Sequence, residues 1–168
     1  MPFTIKRVTI IAAFLLVSAF SNTSNAQAKK LQTSSVDSLT HIESIVSFAT
    51  KHLNLPYRAG GSSKKGFDCS GFVRYCFNKW DVSLPHSSAA QAEKGQSVSI
   101  DDAKPGDLIF FKGHSAKAAR IGHVGIITEI TPTYVRFIHS AWNGGIRYDL
   151  LNADYYKKRF VAIKRLID

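Results

Sequence analysis

The residues able to do nucleophilic chemistry are few: two cysteines, Cys69 and Cys76, and six histidines in a chain of 168 residues. Cys69 stands in the run Asp68-Cys69-Ser70-Gly71, where a Gly/Ser/Lys-rich loop passes into helix-forming residues. A thiol in the first turn of a helix meets unpaired backbone N–H groups and the positive end of the helix dipole. Both favour the thiolate, which is the nucleophilic form, so the expectation is a pKa below the free value of about 8.5. Gly71 removes bulk beside the sulfur, and Ser70 can satisfy an N–H of the helix start. A structural cysteine in a capping turn is the competing reading. Cys76 lies among Phe72, Val73 and Phe77 and reads as a small buried hydrophobe. Seven residues along one helix separate the two Cα atoms by about 10 Å, beyond the ~7 Å that a disulfide tolerates. Both cysteines are therefore expected as free thiols.

A cysteine nucleophile needs a base, and the base needs a group to orient it. His41 and His52 fall on a first helix and read as surface residues; His86 opens a third helix; His114 sits in a basic loop. His123 and His139 fall on strands. Reading "HVGIITEITPTYVRFIHS" as a hairpin centred on Thr131 puts each residue opposite its mirror image about that position. His123 then opposes His139, with Cβ atoms about 5 Å apart. A slip of one residue would send the rings to opposite faces. A polar histidine pair set among small and apolar residues would suit a floor beneath a reacting Cys69 sulfur. Two unrelated strand histidines are one alternative. A Cys/His/His metal site is another, but the paired spacings typical of zinc, such as C-x2-C or H-x3-H, are absent. Neither a metal nor an organic cofactor is expected.

The elements that would position these residues follow from periodicity. In "VDSLTHIESIVSFATKHLNLPY", Leu39, Ile42, Ile45, Val46 and Ala49 recur at helical spacing, with Asp37 or Ser38 as cap and Pro56 beyond the end. "RAGGSSKKG" reads as a loop. A second helix runs from Asp68–Ser70 to about Lys79, and "PHSSAAQAEKG" forms a short third, stopped at Gly95. The second half changes period. Residues 107–112, 123–130, 134–141, 146–150 and 160–167 are β-branched and aromatic with turn signals between them, and "NADYYKKR" forms a helical turn or two. Helices first and strands afterwards imply an α+β fold, with N-terminal helices on an antiparallel sheet of about five strands.

The N-terminus adds a compartment. Lys6 and Arg7 precede a mostly apolar run from Val8 to Phe20, and "SNTSNAQA" offers small-residue cleavage sites after Ala26 or Ala28. That order is a signal peptide over residues 1–26; the run is too short for a bilayer-spanning helix of about 20 residues. Residues 27–38 read as a linker and 39–168 as one domain. Removing Lys6 and Arg7 lowers the formal charge from +10 to +8. A basic surface of this kind favours polyanions. No basic helix or basic-aromatic repeat suggests nucleic acid, so an anionic cell wall is the expected partner of an exported, unanchored protein, in the periplasm or outside the cell. A monomer is the expected state.

The segments "YRAGGSSKKGFDCSGFV", "LPHSSAAQ", "PGDLIFF", "HVGIIT" and "FIHS" follow one another as in the NlpC/P60 cysteine peptidases, and the chain resembles that family from about Tyr57 to its C-terminus. The resemblance is strongest to the Spr-type single-domain murein endopeptidases, through the "KKG-DCSGFV" loop and the "YYKKRF"-like tail. It implies a papain-like α+β fold and hydrolysis of peptidoglycan stem peptides through a thioester. By the same resemblance Cys69 is the nucleophile, His123 the base and His139 the third polar residue. Tyr57 is an oxyanion-side donor, Asp68 an acidic neighbour able to bind a substrate amino group, and Ser70 completes the candidate contacts. The implied bond is the D-alanyl-diaminopimelate cross-link, with γ-D-glutamyl-diaminopimelate as the alternative. An amidase or acyltransferase on the same scaffold, or a wall-binding module without activity, stays open. The chain departs from the family in having His86 where arginine often follows "LP". The loop "KGHSAKAARIG" is long and basic, a lid or a tolerated insertion. Trp142 follows His139 and either walls a cleft or packs.

Overall fold

The first helix of the computed structural model, α1 (41–50), buries Ile45 and Ala49 completely, one turn apart. The structure describes residues 41–113, 115–117 and 119–167. The regions read as signal peptide and linker, the capping residues Asp37 and Ser38, and His114 lie outside the described residues. After α1 come the strands β1 (Ser62–Ser63) and β2 (Gly66–Phe67), helix α2 (Cys69–Asn78), helix α3 (Ser88–Ala92) and strand β3 (Gln96–Val98). Then follow β4 (Leu108–Lys112), β5 (Ile121–Ile130), β6 (Val135–Ala141), β7 (Gly145–Leu150), α4 (Asp154–Lys157) and β8 (Phe160–Arg165).

The main sheet has six strands, in the order β3-β8-β4-β5-β6-β7, with every pairing antiparallel. Five are the expected ones. The sixth, β3, is a three-residue, mostly exposed edge strand, too short to show a period-2 pattern. The β1–β2 pair within the supposed loop has only two rungs and escapes notice for the same reason.

Alternation along the strands divides the core. Leu108, Phe110, Val124, Ile126, Ile138 and Ile146 pack beneath α1 and α2, against Ile45, Phe72, Val73 and Cys76. Ile109, Phe111, Ile127, Val135 and Phe137 face the other way, against Leu151 and Tyr156 of the α4 region. Each such side chain taken fully out of water contributes about 1.5–3 kcal/mol, so the central strands are the most strongly held part of the molecule. His52 corrects the surface reading. It is 4% exposed, its Nδ1 meets the Phe48 carbonyl at 2.8 Å, and Phe48 and Tyr75 crowd its ring. One bond to a carbonyl lets a histidine sit in a core.

The β5–β6 register also differs from the expectation. The turn is Thr131–Tyr134, flanked by Ile130 opposite Val135. Continued without interruption, that pairing would place His123 and His139 on opposite faces. Between Ile127 and Glu129 the register shifts, and Thr128 is the extra residue of a β-bulge. Beyond it Ile127 opposes Phe137 and Ile126 opposes Ile138. Parity is thereby restored, and the two histidines share a face as diagonal neighbours, not as a directly opposed pair.

Candidate active site

Cys69 is the first residue of α2, and Asp68 is the cap that starts the helix. Asp68 Oδ1 accepts from the Gly71 N–H at 2.6 Å and from the Ser70 hydroxyl at 3.0 Å, while Oδ2 accepts from His86 Nε2 at 2.9 Å. An N-cap carboxylate of this kind satisfies orphan N–H groups and fixes the path of the chain into the helix. The 58–61 turn crosses directly over it: the Asp68 N–H donates to the Gly61 carbonyl at 3.0 Å. A Cβ at Gly71 would stand 2.1 Å from that carbonyl oxygen, so only glycine admits the crossing. From α3, the fully buried Gln91 donates to the carbonyls of Ser70 and Pro85. Three segments thus converge to hold one half-buried sulfur.

The environment of that sulfur corrects the expectation of a thiol lowered by its helix. Burial, and then the Asp68 carboxylate, push the Cys69 thiol up to about 11, against the lowering pull of backbone hydrogen bonds at Val124, Ser70 and Cys69. The N–H groups of the helix start do favour the thiolate, but desolvation is larger. Ionisation of Cys69 therefore depends on a partner that takes its proton. Cys76 is fully buried and burial raises it further still, in keeping with an inert core thiol. Both cysteines are free.

The histidines form the expected series and continue past it. His123 Nε2 and His139 Nδ1 are 2.7 Å apart, with ring planes at 90°. Gly125 makes the diagonal approach possible, because a Cβ there would lie 2.8 Å from Phe137 Cδ2 and 3.2 Å from His139 Cβ. His139 is wholly buried, and burial lowers its pKa, with Asp149 opposing. Its Nε2 is 2.9 Å from Asp149 Oδ2. The same oxygen accepts from Arg147 Nε at 2.9 Å and Tyr156 Oη at 2.7 Å. Burial works to raise the Asp149 carboxyl, but hydrogen bonds from His139, Tyr156 and Arg147 outweigh it and hold the group at about 2. Asp149, Arg147 and Tyr156 were not among the expected site residues. A signal existed: the Asn143–Gly144 turn sets His139 opposite Arg147 and Phe137 opposite Asp149, so residues 147 and 149 share the histidine face.

Cys69, His123 and His139 line a cleft of about 520 Å³ together with Tyr57, Trp142 and Tyr155. Segment 54–57 reaches it by running beside β7, with Asn54 N–H donating to the Ile146 carbonyl and Ile146 N–H to that of Leu55. Tyr57 then bridges to Phe67. Burial, and then the charges of Cys69 and Asp68, raise the Tyr57 phenol, which keeps it a proton donor. Trp142 is 65% exposed and forms a rim, and Lys112, Arg147 and Arg159 make the adjoining wall basic. Asp68 and Ser70 do not line the cleft; their polar atoms are engaged in building the start of α2. Of the 112–122 loop, Lys112 Nζ donates to the Ala116 carbonyl at 3.1 Å. Among the described residues no group of three or more His, Cys, Asp or Glu side chains is gathered as a metal site requires.

Comparison with known proteins places this arrangement. The NlpC/P60 family model matches residues 54–165. Over 112 residues the chain is 38% identical to a probable endopeptidase of Haemophilus influenzae, covering 66% of this chain and 66% of that protein. It is also 38% identical over 112 residues to the murein DD-endopeptidase MepS/murein LD-carboxypeptidase of Escherichia coli, covering 66% of this chain and 55% of that one. The chain thus spans between half and two thirds of the length of these curated relatives. A crystal structure of an NLP/P60 family protein from Staphylococcus aureus superposes with a TM-score of 0.66 at 31% identity, over 77% of this chain and 42% of that one.

Proposed function

The chain belongs to the NlpC/P60 family, and from that premise we propose that it is a cysteine endopeptidase of peptidoglycan stem peptides. The observation that carries this reading is the shared cleft: a sulfur at a helix start and a His123–His139 pair 2.7 Å apart open onto the same space. Cys69 attacks an amide carbonyl as its proton passes to His123. His123 then protonates the leaving amine and, as base, activates the water that hydrolyses the thioester. His139 holds the His123 ring. The Cys69 backbone N–H and the Tyr57 hydroxyl face the developing oxyanion, where one donor is worth about 3 kcal/mol. Asp68 and Ser70 serve by shaping the helix start.

The bond we favour is the D-alanyl-diaminopimelate cross-link, in line with the resemblance to the Spr-type enzymes and with the murein DD-endopeptidase of E. coli to which the chain is similar. Residues 1–26 act as an export signal and 27–38 as a linker, so that domain 39–168 works as a monomer at the cell wall. Among the described residues no helix is long and apolar enough to cross a membrane. The test is mass spectrometry of muropeptides after digestion of purified sacculi by the parent and by Cys69→Ala. Conversion of cross-linked dimers to monomers by the parent alone supports the proposal. Products cut at γ-D-glutamyl bonds would reassign the bond. Identical products from both proteins would defeat the cysteine mechanism.

A further inference from the structure

Histidine is an ambiguous third residue for a catalytic pair. A carboxylate in that place only accepts, but a neutral imidazole carries its proton on either nitrogen. Only one placement leaves the pair working. If His139 bore its proton on Nδ1, that proton would point at His123 Nε2, 2.7 Å away. The His123 proton would then sit on Nδ1, the one ring nitrogen left to receive a proton from Cys69, and the base would be lost.

The hydrogen-bond census around Asp149 removes the ambiguity. Oδ2 takes the Arg147 Nε–H at 2.9 Å, and Arg can only donate. It takes the single Tyr156 hydroxyl proton at 2.7 Å, so the Tyr156 oxygen, 3.3 Å from His139 Nε2, can only accept from that nitrogen. The third group at that oxygen is His139 Nε2, at 2.9 Å. An ionised carboxylate has no proton to give, so the proton in that contact belongs to Nε2. Neutral His139 is then bare at Nδ1 and accepts from His123 Nε2–H. Neutral His123 is bare at Nδ1, poised as base. Arg147 offsets the charge of Asp149, so His139 has no need to become charged in its buried site.

We propose that Asp149, clamped by Arg147 and Tyr156, is a positioning residue that sets the direction of every proton in the His139–His123 pair. It acts through His139 and does not touch the sulfur. For its effect on rate the inference rests on the proposed hydrolysis; for the proton positions it does not.

The experiment is imidazole ¹⁵N–¹H correlation spectroscopy of uniformly labelled Cys69→Ala protein at pH 8, above the ordinary histidine value of about 6.5. Both His123 and His139 are expected as the Nε2–H form. This readout needs no change at position 149 and no substrate. Adding Asp149→Ala should shift His139 toward Nδ1–H. A Cys69→Ala spectrum with Nδ1–H on either ring, or spectra that adding Asp149→Ala leaves unchanged, would overturn the proposal. In otherwise unmodified protein, Asp149→Ala should lower kcat by at least about 10²-fold, toward the ~10⁴-fold that a wrong tautomer costs, with KM within about threefold. Asp149→Asn should recover most of that loss, because three donors converge on one atom and draw the amide oxygen toward them. Equal damage from both substitutions, without a tautomer change, would mark Asp149 as merely structural. Expected spectra from a protein inactive on murein would uphold the proton polarity and refute the hydrolase reading alone.

Discussion

Replacing His123 by alanine isolates what the helix start does to the thiol of Cys69. In the parent, burial and the Asp68 carboxylate outweigh the backbone hydrogen bonds and push the thiol up to about 11 against an ordinary value of 9.0, and His123→Ala removes the partner that takes its proton. At pH 7 the thiolate fraction is then about 10⁻⁴, roughly 100-fold less than for an ordinary thiol. The more basic thiolate is intrinsically more nucleophilic: a Brønsted coefficient of 0.4–0.5 over two units returns roughly eightfold. The His123→Ala protein should therefore react with a small neutral aromatic disulfide roughly 10-fold more slowly than free cysteine at pH 7. Its rate should climb about tenfold per pH unit with no plateau below pH 10. Cys76 is buried and stays silent on this timescale. The parent should show an additional plateau at lower pH, from the fraction in which His123 holds the proton. Stopped-flow absorbance across pH 5–11 reads both curves. A plateau below pH 8 in His123→Ala would refute the reasoning, since it would mean that the helix start ionises the sulfur unaided.

Asp149 is held at about 2 instead of 3.8 with its side chain 25% exposed, which corresponds to about 2 kcal/mol of folding stability. Because the folded-state pKa is depressed, this contribution is complete above the unfolded pKa near 4 and disappears as pH falls through 2. Urea titrations should show the gap between parent and Asp149→Asn closing over that window, and a gap independent of pH would contradict the assignment. Deleting Thr128 removes the extra residue of the bulge but leaves Glu129 opposite Arg136 and Ile127 opposite Phe137, so the hairpin becomes regular and both imidazoles keep their shared face. Turnover should stay within about tenfold of the parent, and a loss beyond about 10²-fold, the scale of a misplaced reacting group, would show that residue count across the hairpin does not set the face. Gly71→Ala drives a methyl into the Gly61 carbonyl and should cost on the order of 3 kcal/mol, seen as a melting point lower by about 10 °C; an unchanged melting point would mean that the 58–61 turn moves aside freely.

The expected elements were legible wherever a local pattern runs long enough to repeat. The helix carrying Ile45 and Ala49, the α2 start at Asp68–Cys69, and the apolar runs of β4 to β8 all announce themselves through spacing and flanking turn residues. Strands β1, β2 and β3 did not, because two or three residues cannot express a period. His52 looked like a surface residue because its burial depends on Phe48, Tyr75 and Phe67, and only the turn that follows α1 brings it to them.

At the site, residue types and their order along the chain were determined by the sequence itself: a cysteine where a helix begins, and two histidines on neighbouring strands. Three things were left to the tertiary structure. Desolvation outweighs the helix start at Cys69, and burial is a property of everything packed around a group. The bulge at Thr128 decides which face His123 occupies, through ladder hydrogen bonds that form only when both strands meet. Asp149 reaches His139 because a separate hairpin brings β7 alongside β6. Local periodicity records how a segment folds; the charge state of a sulfur and the direction of a proton depend on atoms distant in the chain, and only their meeting sets them.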